Sequence, residues 1–355
     1  MLGSEIIHVA NRHGVDLTAL SRAAEETEKM LGRFRDSLRD ELQEDVPGNL
    51  DVVLFGSFAR QELTYESDCD YLVVIDGTPG HEQIKRVINA VEESRRLLRL
   101  NEAGRTGTFA DFATATELFL RIGLESDSNA NTTRRLLLLC ESISVLNEAV
   151  TVGIRQTIVA RYLGDYAPHV ERNKQVRVPH FLLNDVIRYW RTIAVDFGAK
   201  QWRSLSGDWY LRYFKLLTTR KVLFAGTLAV LLDSGNALAP LYRGGSVDRE
   251  EVLATLRAHI EAGLAHTPIG RLMALHDRLE TDGQQALARL LRAYDGFIEL
   301  LDDRFTRVAL AQGGKGLQEA REQAEGIAQT IHESLLVLFH DDPLLSGATR
   351  EFAVF

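Results

Sequence analysis

Hydrophobic and polar positions divide the chain into a short mixed front and a long helical remainder. After a lead-in over residues 1–16 that the pattern assigns to no element, leucines and charged residues recur at helical spacing across 17–42, with Asp16 placed to cap the helix. Pro47-Gly48-Asn49 ends that helix. Two apolar runs follow at 51–55 and 70–75, each rich in valine, and they read as buried strands with a helical turn at 58–62 between them. Residues 81–100 repeat as a helix with Ile84, Val87, Ile88 and Val91 on its apolar side, and 106–112 is a third strand candidate. From 114 onward the period is helical almost throughout, over 114–122, 132–142, 144–161, 179–197, 209–232, 248–264, 267–279, 284–310 and 317–339. Clusters of Gly, Pro and Asp, among them Gly244-Gly245, separate several of these segments. The apolar tail 350–355 is expected to dock as a short strand or plug. The expected class is α+β, a small mixed sheet with flanking helices followed by a large all-helical domain. The expected divisions are 1–45, 46–120, 121–235 and 236–355.

Composition narrows the classes. At 355 residues the chain can bury a large core, and 45% hydrophobic with 26% charged residues is ordinary for a globular protein. Two cysteines make no disulfide framework, and the ten histidines show no His-x-x-x-His spacing, so they read as ordinary residues. No basic region followed by an apolar core opens the chain, and the longest apolar run, about 222–232, falls far short of a bilayer. A cytoplasmic protein without membrane insertion is the expectation. Net charge is −9, which argues against a long duplex nucleic acid as partner. Yet residues 171–221 hold eleven Lys/Arg against four Asp/Glu, a local excess suited to a compact anionic ligand.

The chemistry concentrates between Gly56 and Asp70. A strand ending in Gly56-Ser57 and opening a helix offers free backbone N–H groups and a hydroxyl, a cradle for phosphate. Asp68 and Asp70, spaced i and i+2, point to one face of an extended chain, ~6.5 Å apart. Two such carboxylates repel each other unless a cation joins them, and Mg²⁺ prefers oxygen ligands of this kind. Asp111 is the acid within the third strand candidate and by elimination the third ligand of a two-metal site; Glu102 and Glu117 compete with it for that place. Cys69, between the two acids, is expected on the opposite, buried face.

Gly56-Ser57-Phe58-Ala59-Arg60-Gln61-Glu62 followed by Ser67-Asp68-Cys69-Asp70-Tyr71-Leu72-Val73-Val74 resembles the signature of the nucleotidyltransferase superfamily typified by DNA polymerase β. The resemblance implies a nucleotidyltransferase sheet over about 51–112. It also implies Mg²⁺ (or Mn²⁺) on Asp68 and Asp70, Gly56 and Ser57 on the triphosphate of an NTP or dNTP, and Asp111 as third carboxylate. Arg60 and Glu62 match the helix after the turn and need not touch substrate. Further on, Asp127-Ser128-Asn129, Thr133-Arg134-Arg135, Leu183 to Arg191 and Lys215 to Lys221 are similar to the substrate-binding helical domains of uridylyltransferase-like proteins. The histidine-rich hydrolase and tandem ligand-binding domains of the full uridylyltransferases are not matched.

Within the basic segment, Asn184, Arg188 and Arg191 fall on one helical face, and Lys215 and Lys221 follow on a later helix. Two roles stay open for them: a clamp on the triphosphate or acceptor, or, for Arg188 and Arg191, a structural network with Asp185 and Asp196. Trp190, Trp202, Trp209 and Tyr210 are similarly divided between base stacking and core. The expected activity is metal-dependent transfer of a nucleoside monophosphate to a hydroxyl, with a protein side chain or growing oligonucleotide as acceptor. The alternatives are synthesis of short oligonucleotide signals in anti-phage defence, protein-primed or not, and a non-catalytic sensor or antitoxin-like module. Homo-oligomers are compatible with all three.

Overall fold

The computed structural model describes residues 1–353 apart from 44, 65–66, 79, 104–108, 165–176, 204–208 and 244–247, with the backbone alone at 200–203. The chain forms two compact units. One comprises Met1 and 23–161, the other 2–22 and 162–355.

In the first unit four strands, β1 (Leu50–Phe55), β2 (Tyr71–Ile75), β3 (Asp111–Thr114) and β4 (Ser142–Ser144), form a mixed sheet in the order β3-β2-β1-β4. β1 runs antiparallel to β2 and β4, and β2 runs parallel to β3. Every residue of β1 and β2 is buried, because both faces of the sheet are covered. On one face Leu50, Val52 and Leu54 join Cys69, Tyr71, Val73 and Ile75 in a core with the long helix α2 (Thr18–Leu42), following α1 (Ser4–His13), and with α4 (His81–Leu97). Helix α3 (Ser57–Arg60) follows β1 directly, and α5 (Ala115–Leu120) follows β3. On the other face α6 (Asn129–Cys140) packs against β1 and β4. This is the α+β architecture the hydrophobic pattern predicts.

Buried acids hold this unit together. Asp51, fully buried on β1, accepts hydrogen bonds from the Leu146 and Asn147 N–H groups at 3.1 and 2.8 Å and from the Thr151 hydroxyl at 2.5 Å. Thr151 lies on α7 (Glu148–Leu163), so the carboxylate anchors the start of that helix to the sheet. Asp127 and Arg135 form a buried bidentate pair at 2.8 and 3.1 Å, with Asn131 donating to the same carboxylate. Burial pushes the Asp127 carboxyl up, but the bonds from Arg135 and Asn131 outweigh it and hold the group below the ordinary range.

The second unit is helical among its described residues. α8 (His180–Arg203) and α9 (Trp209–Lys215) lead through a π-helical turn, Leu216–Arg220, into α10 (Lys221–Leu232), whose side chains are almost all buried. Then follow α11 (Ser234–Arg243), α12 (Arg249–Ala265), α13 (Pro268–Met273), a short 3₁₀ turn (His276–Arg278), α14 (Thr281–Asp302), α15 (Arg304–Gln312), α16 (Leu317–Leu336) and α17 (Pro343–Ala348). The span Trp209–Arg243 is long and apolar enough to pass for a membrane helix by composition, yet 72% of that window is buried inside the protein. Asp233, buried, receives both terminal nitrogens of Arg278 at 2.9 and 2.8 Å.

The structure departs from the sequence pattern in several places. Residues 4–13 are helical, closed by Gly14 in the left-handed conformation. The start of α2 takes its carboxylate from Asp295, which accepts from Leu20 N–H at 2.8 Å, while Asp16 bonds the Thr18 hydroxyl. The third strand begins at Asp111, and residues 106–108 lie outside the described residues, as does Gly244-Gly245. The predicted helix over 284–310 is two helices, because Asp303 caps a new one by accepting from Thr306 N–H at 2.7 Å. The tail coils as a π-helical turn, Thr349–Ala353, where a strand or plug is expected, and 354–355 fall outside the described residues.

Because Asp51 satisfies three donors at once, Asp51→Ala leaves them buried without a partner. The expected loss is about 2–4 kcal/mol of unfolding free energy in urea titration, and a loss below about 1 kcal/mol would contradict this role.

Candidate active site

The site is built where β1 ends and β2 begins. The register Leu54↔Tyr71 places Phe55 opposite Asp70, and Phe55 N–H donates to the Asp70 carbonyl at 2.9 Å. Gly56 then turns the chain at φ 65° and ψ −135°, a conformation that glycine adopts without penalty. A Cβ on Gly56 would lie 3.7 Å from Asp70 Oδ2, so the glycine opens the space beside that carboxylate. The N–H groups of Ser57, Phe58 and Ala59 precede the first intrahelical bond of α3, which begins with Arg60 N–H on Gly56 O at 3.0 Å.

Alternation along the second strand sorts the acids from the core. Cys69 and Tyr71 are fully buried, whereas Asp68 is exposed and Asp70 half-buried. Asp68 is steadied from the far side by a parallel bridge to Asn101, with Cys69 N–H on Asn101 O at 3.2 Å. Asp111 pairs with Leu72, two residues along from Asp70 (~6.6 Å) and one strand over (~4.8 Å). Positions 68, 70 and 72 share a face, and parallel partners point the same way, so Asp68, Asp70 and Asp111 rise from one side of the sheet. All three offer accessible oxygens, and the donor set suits a hard divalent ion.

The competing acids have other work. Glu117 forms a capping box with Thr114 at the start of α5, and Glu102 is exposed, 3.9 Å from Arg95. Arg60 is held between Glu62 and Glu141: its Nε donates to Glu62 at 2.7 Å and its Nη1 to Glu141, with both carboxylates buried. This clasp fixes α3, and with it the Gly56-Ser57 turn, against the end of α6.

One cation at the site is not singled out by the sequence. Arg134 Nη2 donates to Asp111 Oδ2 at 2.5 Å, and its Nη1 reaches the Phe112 carbonyl at 3.4 Å. Its neighbour Arg135 turns about 100° away around α6 into the buried pair with Asp127. The adjacent Arg-Arg in a leucine-rich helix is the signal that two different environments meet there.

Arg188, Arg191, Lys215 and Lys221 belong to the second unit. Arg188 and Arg191 are exposed, and Arg188 approaches Asp185 to 3.9 Å. Asp185 also accepts from the Tyr162 hydroxyl at 2.6 Å. Lys221 is partly buried, and burial holds its amine below the ordinary lysine range. Trp190 stacks on Phe224 and Trp209 on Tyr213, at 5.2 and 4.9 Å between ring centroids, so each presents a face to another ring of this unit. The side chain of Trp202 lies outside the described residues.

Residues 35–102 match the family model of the nucleotidyltransferase domain. That span covers the last third of α2, the Gly56-Ser57 turn, both flanking strands, Asp68 and Asp70, and α4. No curated protein matches the chain. At its coarser level the expected superfamily is therefore supported, by a match confined to residues 35–102 of the first unit.

Two outcomes follow from this geometry. Gly56→Ala forces a side chain into a positive-φ position and is expected to lower stability by about 1–2 kcal/mol in thermal or urea unfolding. Burial first, then the charge of Asp70, pushes the Cys69 thiol up to about 12. At pH 8 it therefore stays protonated and should resist alkylation in the folded chain but react in denaturant; rapid native labelling of Cys69, read by peptide mass, would contradict its placement.

Proposed function

We propose that the first unit transfers a nucleoside monophosphate from an NTP or dNTP to a hydroxyl acceptor and releases pyrophosphate. The observation that carries this reading is the convergence of the Gly56 turn on Asp70, with Asp68 and Asp111 on the same sheet face. In the reaction the acceptor oxygen forms a bond to the α-phosphorus as the bond from that phosphorus to the β-phosphate oxygen breaks. The acceptor's proton leaves to a base.

Each residue has a part consistent with its surroundings. Gly56 lets the phosphate chain approach the backbone closely, and Ser57 and the first N–H groups of α3 donate to its oxygens. Asp68 and Asp70, with Asp111, are the residues that would hold Mg²⁺ or Mn²⁺; when bound, the ion neutralises phosphate charge and polarises the reacting phosphorus. Asp111, the most laterally placed of the three, is suited to draw the proton from the attacking hydroxyl. Arg134 balances Asp111 and supplies a guanidinium for the triphosphate's negative charge. The acceptor classes that fit are a protein side chain and a growing oligonucleotide.

The test is pyrophosphate release with each NTP and dNTP in Mg²⁺ or Mn²⁺, paired with nucleotide chromatography and intact-protein mass. Asp68→Asn with Asp70→Asn should lower turnover by about 10³-fold or more while leaving the thermal midpoint within a few degrees. Undiminished turnover in that double variant would overturn the assignment. Nucleotide binding by the wild-type chain without any pyrophosphate would favour a sensor.

A further inference from the structure

A second cluster of metal-ligand side chains lies in the helical unit, away from the three acids in chain and unit. His8 and His13 project from α1, and His276 and Asp277 from the 3₁₀ turn after α13. His8 Nε2 is 3.1 Å from Asp277 Oδ1, and His276 Nδ1 is 2.7 Å from the same oxygen. One ligand atom from each of His8, His276 and Asp277 falls within 4.8 Å of the other two. His13 Nε2 lies 2.9 Å from His276 Nε2, on the other side of that ring. The His276 side chain is only 2% exposed, while His8 and Asp277 are 48% and 73% exposed.

We propose that His8 Nε2, His276 Nδ1 and Asp277 Oδ1 form a three-ligand site for Zn²⁺ or a similar imidazole-preferring transition ion, with water in the fourth position, clasping α1 to the turn after α13. The donor set is two imidazoles and one carboxylate, the combination such ions take in open sites. Bonds of ~2.0–2.1 Å in tetrahedral array put donors ~3.3 Å apart, so the 3.1 and 2.7 Å separations from Asp277 Oδ1 need to open by about 0.2 and 0.6 Å, and the two ring nitrogens already lie within 4.8 Å of each other. Both exposed ligands leave room for the ion to enter.

The remaining partners fit this assignment. For His276 to ligate through Nδ1 its proton must sit on Nε2, where it donates to His13 Nε2. His13 Nε2, 2.9 Å from His276 Nε2, is placed to accept that proton. His13 therefore acts as a positioning residue that sets the tautomer of a buried ligand. The spacing search on the sequence misses all of this because His8 and Asp277 stand 269 positions apart.

The test uses the full-length chain, stripped with a chelator, in a background carrying Asp68→Asn and Asp70→Asn so that the acid site does not contribute. Titration with Zn²⁺ against a competing chromophoric chelator should show one ion per chain. His8→Ala and Asp277→Asn, both at exposed positions, should each weaken binding at least tenfold. Co²⁺ should give the visible absorption of a four-coordinate site, lost in the same two variants. Absence of binding, or equal affinity in the His8→Ala, Asp277→Asn double variant, overturns the site.

Discussion

The pairing of β1 with β2 governs where every acid of the first unit ends up. A slip of one residue would move Cys69, Tyr71, Val73 and Ile75 away from α2 and α4 to the other covered face and drive Asp68 and Asp70 toward that core. Each large apolar side chain is worth about 1.5–3 kcal/mol on burial, and each unpaired buried carboxylate costs several kcal/mol. The two penalties point the same way, and together they set the face on which the carboxylates stand. The Phe55 N–H bond to the Asp70 carbonyl extends that register by one step, which brings the Gly56 turn against the Asp70 side chain.

The surroundings also divide the acids by role. Asp51, Asp127, Glu62 and Glu141 are buried, and each meets donors that satisfy it. They are parts of the scaffold, and removing one strands its partners. Asp68, Asp70 and Asp111 stand at strand ends, exposed or half-buried, Asp111 with Arg134 on one of its oxygens. One chain thus uses the same functional group in two ways, decided by whether backbone and arginine donors surround it.

Features that depend on contiguous residues were legible in the sequence. The two valine-rich runs, the Gly-Ser turn and the spaced aspartates need only neighbours along the chain to be read. Features that depend on tertiary partners were not. β4 is three residues long, too short for any period, and exists because β1 has an open edge for it. Arg134 and Arg135 are alike in sequence and opposite in fate, since one finds Asp111 and the other Asp127. Residues 17–42 read as one amphipathic helix, yet the helix serves two cores, with residues up to 22 counted in the second unit and Leu31, Phe34, Leu38 and Leu42 under the sheet.

The brevity of the outer strands bears on how the chain avoids sticking to itself. β1 and β2 are uncharged for most of their length, rich in valine, and free of proline, the composition that favours intermolecular pairing. In the folded sheet they are flanked by β3 and β4, of four and three residues, whose outer edges give another chain little backbone to pair with. During synthesis α2 emerges before either strand, so part of the surface that will cover them already exists when they appear. The danger is confined to the interval before α4 and β3 arrive, and a chain stalled or cut between residues 75 and 111 would be the form most prone to aggregate.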